Sequence, residues 1–182
     1  MNQSDVRIRA AGVEPGLVAG LAEVLIDCVE GGASVSFMWP LPREKAIGFW
    51  ERVIASVGRG ERHLLVAEDS SGQVLGTVQV ITDLPENQPH RADVAKMLVH
   101  RRARRRGIAA ALMLAAEDAA RKTGRTLLVL DTVTGGTAER LYTRLGWRRV
   151  GVIPGYALWP TGAPCDTTYF YKELSEVEGP PV

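Results

Sequence analysis

The chain has 182 residues, of which 46% are hydrophobic and 24% charged, and its formal net charge is +1. This length suits a single domain with a sizeable core. Because the net charge is near neutral, the arginines at 101–106 form only a local positive field, which favours a small anionic ligand over a long polyanion such as nucleic acid. No apolar run approaches the ~20 residues that a membrane span needs, and residues 1–5 lack the layout of a secretory signal. We therefore expect a cytoplasmic protein that contacts no membrane.

Cysteine and histidine residues are few and scattered. Cys28 and Cys165 stand far apart and form no Cys-x-x-Cys motif, and His63, His90 and His100 form no cluster. Metal sites and disulfide frameworks need such residues at close or regular spacing. The sequence therefore predicts neither a structural metal nor a disulfide framework.

The first part of the chain predicts a strand and two helices. Residues 5–10 alternate polar and apolar side chains, which is the period of a half-buried strand. Apolar residues at helical spacing predict one helix over residues 15–30, stopped by glycines, and a second over residues 42–57. The segment 33–40 between them is irregular and rich in aromatic residues.

The rest of the chain predicts a sheet with helices between some of its strands. Two apolar runs, 63–68 and 74–81, flank the turn-forming residues 69–72 and predict a hairpin. The remaining predicted elements are strand 94–99, helix 107–122, strand 127–130, helix 137–145 and strands 148–153 and 167–172. We expect residues 175–182 to be a frayed tail.

A strongly basic loop directly precedes the helix predicted to begin at Gly107. Five of the six residues from Arg101 to Arg106 are arginine. The first amides of a helix have no partners within it, the helix dipole places positive charge there, and glycine lets an anion approach closely. The order of strand, cationic loop and helix therefore predicts a phosphate-binding turn; the less favoured alternative is a solvated basic loop.

Two motifs connect this turn to a known family. The pattern Arg104-x-x-Gly107-x-Ala109 resembles the acyl-coenzyme A signature of the GNAT acetyltransferase superfamily. The pattern Leu141-Tyr142-x-x-x-Gly146-Trp147, which follows a predicted buried strand, is similar to that family's next conserved element. Residues 31–34 and 154–156 further resemble the tabtoxin-resistance type of acetyltransferase.

The resemblance implies a fold. It implies one α/β (α+β) N-acetyltransferase domain over residues 1–174, with a central, mixed but mostly antiparallel twisted sheet of about seven strands flanked by about four helices. The strands are expected to splay apart at an acetyl-CoA cleft. Two positions depart from the family pattern, because Arg101 stands where proline is common and Gly135 stands where an asparagine often contacts the cofactor.

The resemblance also implies acetyl-CoA as the cosubstrate. Its pyrophosphate is expected on the amides of residues 105–110, with arginine side chains neutralising the phosphates, and its pantetheine is expected to pair like an added strand with residues 97–99. The implied cofactor-binding residues are Met97, Leu98, Val99, Arg104, Arg105, Arg106, Gly107, Ile108, Ala109 and Ala110.

Tyr142 is the candidate proton donor. A phenol, with an ordinary pKa of about 10, holds its proton at neutral pH and can deliver it to the departing sulfur. The alternative for Tyr142 is a core aromatic residue on an amphipathic helix, with its hydroxyl at the surface.

Two aspartates are candidates on the acceptor side, either as a base or as a substrate anchor. Side chains alternate along a strand, so Asp93 is expected on the same face as Met97 and Val99, beside the thioester. Asp131 follows the strand predicted at 127–130, an edge position at which open sheets bind ligands. The alternative for each aspartate is a turn or helix-capping carboxylate.

Aromatic side chains outside the predicted elements are candidates for the substrate pocket. The substrate-binding candidates are Phe37, Met38, Trp39 and Tyr156, with Trp159 near the last of them. The alternative is that they cap the core. Glu68 and His100 are weaker candidates, and a histidine beside arginines is expected to lose its proton readily.

Together these features predict an enzyme that transfers the acetyl group of acetyl-CoA to the primary amine of a small molecule by direct attack in a ternary complex. An amino acid-like toxin or an antibiotic, modified for resistance, fits the resemblance. The alternatives are acetylation of a protein N-terminus or lysine, and a non-catalytic acyl-CoA sensor. A nucleic acid partner is not expected, because no second basic patch or stacking platform accompanies the arginines. We expect a monomer or a homodimer.

Overall fold

The computed structural model describes residues 6–174, which form seven strands and four helices. In chain order these are β1 (Val6–Ala11), α1 (Leu17–Glu30), α2 (Arg43–Gly58), β2 (Arg62–Asp69), β3 (Val74–Ile81), β4 (Arg91–Val99), α3 (Ile108–Lys122), β5 (Leu127–Val133), α4 (Thr137–Arg144), β6 (Arg148–Leu158) and β7 (Pro164–Glu173). A short 3-10 helix, Arg101–Ala103, follows β4. None of the helices in this part of the chain is long and apolar enough to cross a bilayer. The tail predicted at 175–182 lies outside the described residues.

All seven strands belong to one sheet, in the order β1-β2-β3-β4-β5-β7-β6. Neighbouring strands are antiparallel except β4 and β5, which are parallel. The predicted architecture, a mixed and mostly antiparallel sheet of about seven strands with four helices, is confirmed.

Different helices cover the two faces of the sheet. The apolar side chains of α3 recur every three or four residues, so Leu112 and Met113 are fully buried in one core together with residues of α4. On the other face, α1 and α2 bury Leu21, Leu25 and Trp50. Each fully buried leucine stabilises the fold by roughly 1.5–3 kcal/mol, so both helical layers hold the sheet in place.

The last two strands are longer than the sequence predicts. Residues 154–156, expected in a loop, lie within β6, which continues to Leu158. Their register with β7 is irregular between Ile153 and Ala157. A proline in a central strand would remove a ladder hydrogen bond, but β6 is the edge strand and the irregular register accommodates Pro154. The hairpin therefore carries Tyr156 on a strand rather than on a loop.

Candidate functional site

A cleft opens between the two parallel strands at the centre of the sheet. β4 and β5 pair at only three positions, and the last of these pairs is Asp93 with Val129. Beyond that pair each strand continues, β4 to Val99 and β5 to Val133, without pairing to the other. Backbone groups on the inner edges of both strands thus have no strand partner there and can bind an extended ligand.

The turn that follows β4 holds a row of unpaired amides. Within the described chain, the backbone N–H groups of residues 105–110 donate no hydrogen bond, and the first bond after them runs from Ala111 to the Gly107 carbonyl at 3.0 Å. Arg105 and Gly107 both have left-handed backbone, with φ of 62° and 76°. Gly107 is the N-cap of α3 and makes no side-chain cap. A row of unpaired amides at the N-terminus of a helix suits a diphosphate.

Three arginine side chains of the basic loop remain available around this turn. Arg102 and Arg105 are exposed, and the half-buried Arg106 has one buried guanidinium nitrogen without a hydrogen-bond partner among the described residues. Arg104 is tied back by a bond from its Nε to the Val99 carbonyl, at 3.3 Å. The unpaired amides and the orphan Arg106 nitrogen fit the phosphate groups of coenzyme A.

Arg101 has a structural partner instead. Asp27, in the last turn of α1, accepts hydrogen bonds from the Arg101 amide at 2.7 Å and from its Nε at 2.8 Å. Burial alone would raise the pKa of Asp27, but these bonds from Arg101 outweigh it and lower the pKa below its usual range. α1 therefore fixes the start of the basic loop.

The predicted face of Asp93 is wrong. Gln79 of β3 pairs with Ala95 but Thr77 pairs with Leu98, so a β-bulge adds one residue to β4 between these pairs. Because one added residue reverses the alternation of side chains, Met97 and Val99 pack against the α3 core, on the face opposite Asp93. Asp93 instead lies on the α1 and α2 face, in an ion pair with Arg91.

Tyr142 stands on the α3 and α4 side of the sheet. Its side chain is 5% exposed, and its ring packs against Trp147 and Phe170 with centroids 6.1 Å and 5.8 Å away. Burial, with the nearby charge of Asp131, raises the pKa of this phenol above its ordinary value. No described residue bonds to its hydroxyl. The side chain is thus a core aromatic that keeps its proton and leaves its hydroxyl available.

Asp131 lies on the opposite face, past the point where β4 and β5 separate. It pairs directly with Tyr169 across the β5–β7 ladder, and Tyr169 donates a 2.8 Å hydrogen bond to the Tyr156 hydroxyl. This bond is the main cause that raises the pKa of Tyr169 to about 12. Partial burial raises the pKa of Asp131, although Lys96 opposes the effect. Since Asp93 already has an arginine partner, Asp131 is the better placed carboxylate for an incoming cation.

Lys96 was missed by the sequence reasoning. It lies in the β4 bulge with left-handed backbone, φ 51°, and its ammonium donates to Ser36 Oγ at 3.0 Å and lies 5.9 Å from the centre of the Phe49 ring. Burial lowers the pKa of Lys96; the charge of Asp131 opposes this effect and the charge of Arg62 adds to it. The available signal was a single charged residue inside the apolar run 94–99.

The segment 33–40 reaches the tip of the β6–β7 hairpin. Ser34 Oγ donates to the Leu158 carbonyl at 2.7 Å, and the Trp39 amide donates to the Pro160 carbonyl at 3.0 Å. The two aromatic segments predicted to line a pocket are thus neighbours.

The side chains of these two segments differ in exposure. Phe37 packs edge-on against Phe49 and joins the rim of the core, which is the alternative expected for it. Met38, Trp39 and Tyr156 are 43%, 58% and 50% exposed and are free to meet a ligand.

The remaining candidates have structural partners. Glu68 forms a salt bridge with Arg9, far from the cleft along β2. His100 accepts a bond from the Arg102 amide, and burial, with the neighbouring arginines, lowers its pKa despite Asp27 nearby. The Gly135 amide donates to Glu139 Oε2 at 2.7 Å, so the start of α4 is capped from within. A glycine there offers no side-chain amide for the cofactor.

Comparison with known proteins shows which kind of domain contains this cleft. A model of the acetyltransferase (GNAT) domain matches residues 60–149, which include the cleft, the basic turn and α4. An N-acetyltransferase from Staphylococcus aureus is similar in structure, with 18% identity, a TM-score of 0.78 and coverage of 94% of this chain and 99% of that one.

Two further similar structures were solved with the cofactor. A putative acetyltransferase from Salmonella typhimurium with acetyl-CoA has 20% identity and a TM-score of 0.77, and covers 98% of this chain and 99% of that one. A phosphinothricin acetyltransferase from Sinorhizobium meliloti in complex with AcCoA has 18% identity and a TM-score of 0.76, and covers 98% and 94% of the two chains. At these identities the likeness concerns the fold, and the domain match adds the family. Residues 60–149 form a GNAT acetyltransferase domain, and the protein is an acetyl-CoA-dependent N-acetyltransferase.

Proposed function

We propose that the acceptor is the primary amine of a small molecule, such as an amino acid-like toxin or an antibiotic, and that transfer occurs by direct attack in a ternary complex. The observation that carries this proposal is the link between segment 33–40 and the β6–β7 hairpin, made by the Ser34 and Trp39 hydrogen bonds. A lysine within an extended peptide needs room for the chain on both sides of the reacting amine. A link between the segments at one side of the acceptor face restricts that room and favours a compact acceptor.

Each part of the site has a proposed role. The amides of residues 105–110 and the free arginines hold the phosphates of acetyl-CoA, and the unpaired edge of residues 97–99 binds its pantetheine arm. Binding energy from these remote contacts places the thioester beside the amine, so that positioning supplies much of the rate. Bound acetyl-CoA supplies an activated acetyl group.

Two side chains handle the protons. Asp131 attracts and holds the acceptor ammonium, whose charged form it favours. Solvent takes the proton, because a carboxylate is itself a weak base. As the amine nitrogen bonds to the acetyl carbon and the carbon–sulfur bond breaks, Tyr142 donates a proton to the sulfur and regains one afterwards. The balanced products are an amide and a thiol. Asp93 is paired with Arg91 and has no separate role in this proton transfer.

A role in resistance or detoxification is supported by two likenesses. Residues 31–34 and 154–156 resemble the tabtoxin-resistance type of acetyltransferase. The Sinorhizobium meliloti protein that shares this fold is a phosphinothricin acetyltransferase. Both comparisons concern enzymes named for small molecules, which agrees with a compact acceptor.

The test is acetyl-CoA-dependent thiol release with a panel of small amines, amino acids and antibiotics, run beside peptides with free N-termini or lysines. We expect turnover with at least one small amine and a lower kcat/KM with every peptide. Turnover with peptides alone would contradict the proposal and support a protein acetyltransferase. Coenzyme binding without any turnover would instead support an acyl-CoA sensor.

A further inference from the structure

Two of the three non-glycine residues with left-handed backbone among residues 6–174 are hydrogen-bonded to each other. These are Ser36 and Lys96, with φ of 75° and 51° and 3.0 Å between Oγ and Nζ. The third, Arg105, belongs to the phosphate turn. Non-glycine residues occupy this conformation at a cost, and such strain concentrates at functional sites. The Ser36–Lys96 pair is thus a second place where backbone strain is retained.

The ammonium of Lys96 has unused hydrogen-bonding capacity. Of its three N–H donors, only the one to Ser36 has an acceptor in the described part of the chain, and no described carboxylate lies within the 4.0 Å of an ion pair. A lysine that is partly removed from water usually has an anionic partner, because desolvation without one costs free energy. Among the described residues, the negative charge that acts on Lys96 is that of Asp131, which lies beyond ion-pair distance, so two N–H donors of the ammonium are available to a further anion.

The position of Lys96 ties that anion to the acceptor. Its contacts with Ser36 and Phe49 place the ammonium on the α1 and α2 face, which also carries Asp131. The bulge that holds Lys96 follows the last β4–β5 pair, and Asp131 follows the same pair on the other strand. One cation and one anion therefore border the mouth of the cleft from opposite strands. The phosphate turn lies beyond Val99, at the far end of β4.

We propose that Lys96 and Ser36 form a subsite for an acidic group of the acceptor, a carboxylate above all, while Asp131 attracts its amine. This inference rests on the proposed small-molecule function. A carboxylate has two oxygens, one for the ammonium of Lys96 and one for the hydroxyl of Ser36. An acceptor with both an amine and a carboxylate matches the two opposite charges at the cleft.

The test uses matched pairs of acceptors that share the amine and differ only in the acid, namely an α-amino acid and its amide. With the wild-type enzyme we expect kcat/KM to be at least about tenfold higher for the acid than for its amide. In Lys96→Met we expect kcat/KM for the acid to fall about 10–100-fold, mainly through KM, with a change below about twofold for the amide. Ser36→Ala should show the same selective loss, at about three- to tenfold.

Controls separate charge, folding and coenzyme binding from recognition of the acid. Lys122→Met removes a lysine that is paired with Asp118 on the exposed face of α3, and it should leave the preference for the acid unchanged. Lys96→Arg keeps the positive charge in case the methionine variant is unstable, and it should retain a preference for the acid. Calorimetric titration with coenzyme A should give equal affinities in all four variants. Titration with an N-acetylated amino acid should show weaker binding only in Lys96→Met and Ser36→Ala.

Three results would overturn the inference. The first is equal wild-type kcat/KM for acids and their amides, which would leave small-molecule acetylation itself intact. The second is an equal loss for acid and amide in Lys96→Met, which would assign Lys96 a structural role. The third is a lack of turnover with every small amine while peptides are acetylated, in which case the proposed function fails as well.

Discussion

At the scale of single residues, three titratable groups divide the proposed chemistry between the two faces of the sheet. Tyr142 lies in the core between α3, α4 and the sheet, where burial keeps its phenol protonated. Asp131 and Lys96 lie on the other face, where burial disfavours the charged form of each. The proton for the sulfur and the charges for the acceptor thus come from opposite sides of one cleft.

Replacing Tyr142 by phenylalanine removes the proposed proton donor and keeps the ring. We expect Tyr142→Phe to lower kcat about 10–100-fold and to change the Kd for coenzyme A by less than about twofold. Steady-state kinetics and calorimetry measure the two effects. The control is Tyr171→Phe, since the Tyr171 hydroxyl only accepts a bond from Arg148 at 3.3 Å on the surface. Wild-type turnover by Tyr142→Phe across the accessible pH range would refute the role.

Asp131→Asn separates activity from stability. Since burial raises the pKa of Asp131, the folded protein holds that proton more tightly than the unfolded chain, and the charged form is destabilising above the raised pKa. Because Asp131 is exposed, solvent screens this effect, and at pH 7 we expect Asp131→Asn to raise Tm by less than about 1 °C and to lower kcat/KM about tenfold.

The pH profile provides a second readout for the same variant. As pH falls, wild-type kcat/KM should decline at a pH above the usual titration range of an aspartate, and Asp131→Asn should lack this limb. Asp118→Asn is the control, because that exposed carboxylate pairs only with Lys122 on α3. An unchanged acid limb in Asp131→Asn would exclude Asp131 as the charged anchor.

At the scale of secondary-structure elements, the site is made where regular structure is interrupted. β4 and β5 stop pairing after Asp93, a bulge turns β4, and α3 begins without a side-chain cap. Each interruption leaves backbone or side-chain donors without partners. The protein therefore presents its binding groups by leaving hydrogen bonds unmade at element ends.

Glycines at the two ends of α3 allow a matched test of the phosphate turn. Gly107 and Gly124 have similar left-handed backbone, with φ of 76° and 74°, but only Gly107 lies among the unpaired amides. We expect Gly107→Glu to weaken coenzyme A binding by at least about 100-fold, since a carboxylate would occupy the anion site. Gly124→Glu should suffer similar strain but keep its affinity within about twofold. Calorimetric Kd values decide, and equal affinities would remove the turn from the binding site.

Patterns of hydrophobicity predicted most elements but not the irregular ones. The run 127–130 and the helix after Gly107 appear close to where they were expected, because apolar spacing and a glycine at the cap are local signals. The bulge at Lys96 depends on pairing with β3, and no local sequence pattern predicts it. Its omission placed Asp93 on the wrong face. The Asp27–Arg101 contact joins residues that are distant in sequence, so it could not be predicted from a local pattern either.

At the scale of the whole molecule, the sheet separates two tasks. The α3 side carries the start of the coenzyme turn and Tyr142, and the α1 and α2 side carries the acceptor-facing charges. The net charge of +1 leaves the arginine loop as a local positive field on a balanced surface. A small, highly charged ligand should thus bind much better than a long polyanion.

Thermal melting distinguishes these ligands. A ligand that binds only the folded state at 100 times its Kd adds about 2.7 kcal/mol to the free energy of unfolding, which corresponds to a rise in Tm of about 5–10 °C. We expect this rise with coenzyme A and none with duplex DNA or RNA at the same phosphate concentration. A larger rise with nucleic acid than with coenzyme A would contradict the assignment of the arginine loop.

Through the carboxylate of Asp27, α1 contributes to the binding of both the coenzyme and the acceptor. It fastens the loop that meets the diphosphate, and the same helix leads directly into the segment that carries Ser36. One helix, α1, thus helps to position the binding residues for two different ligands. We therefore expect a substitution that breaks the Asp27–Arg101 contact to weaken the binding of coenzyme and acceptor together.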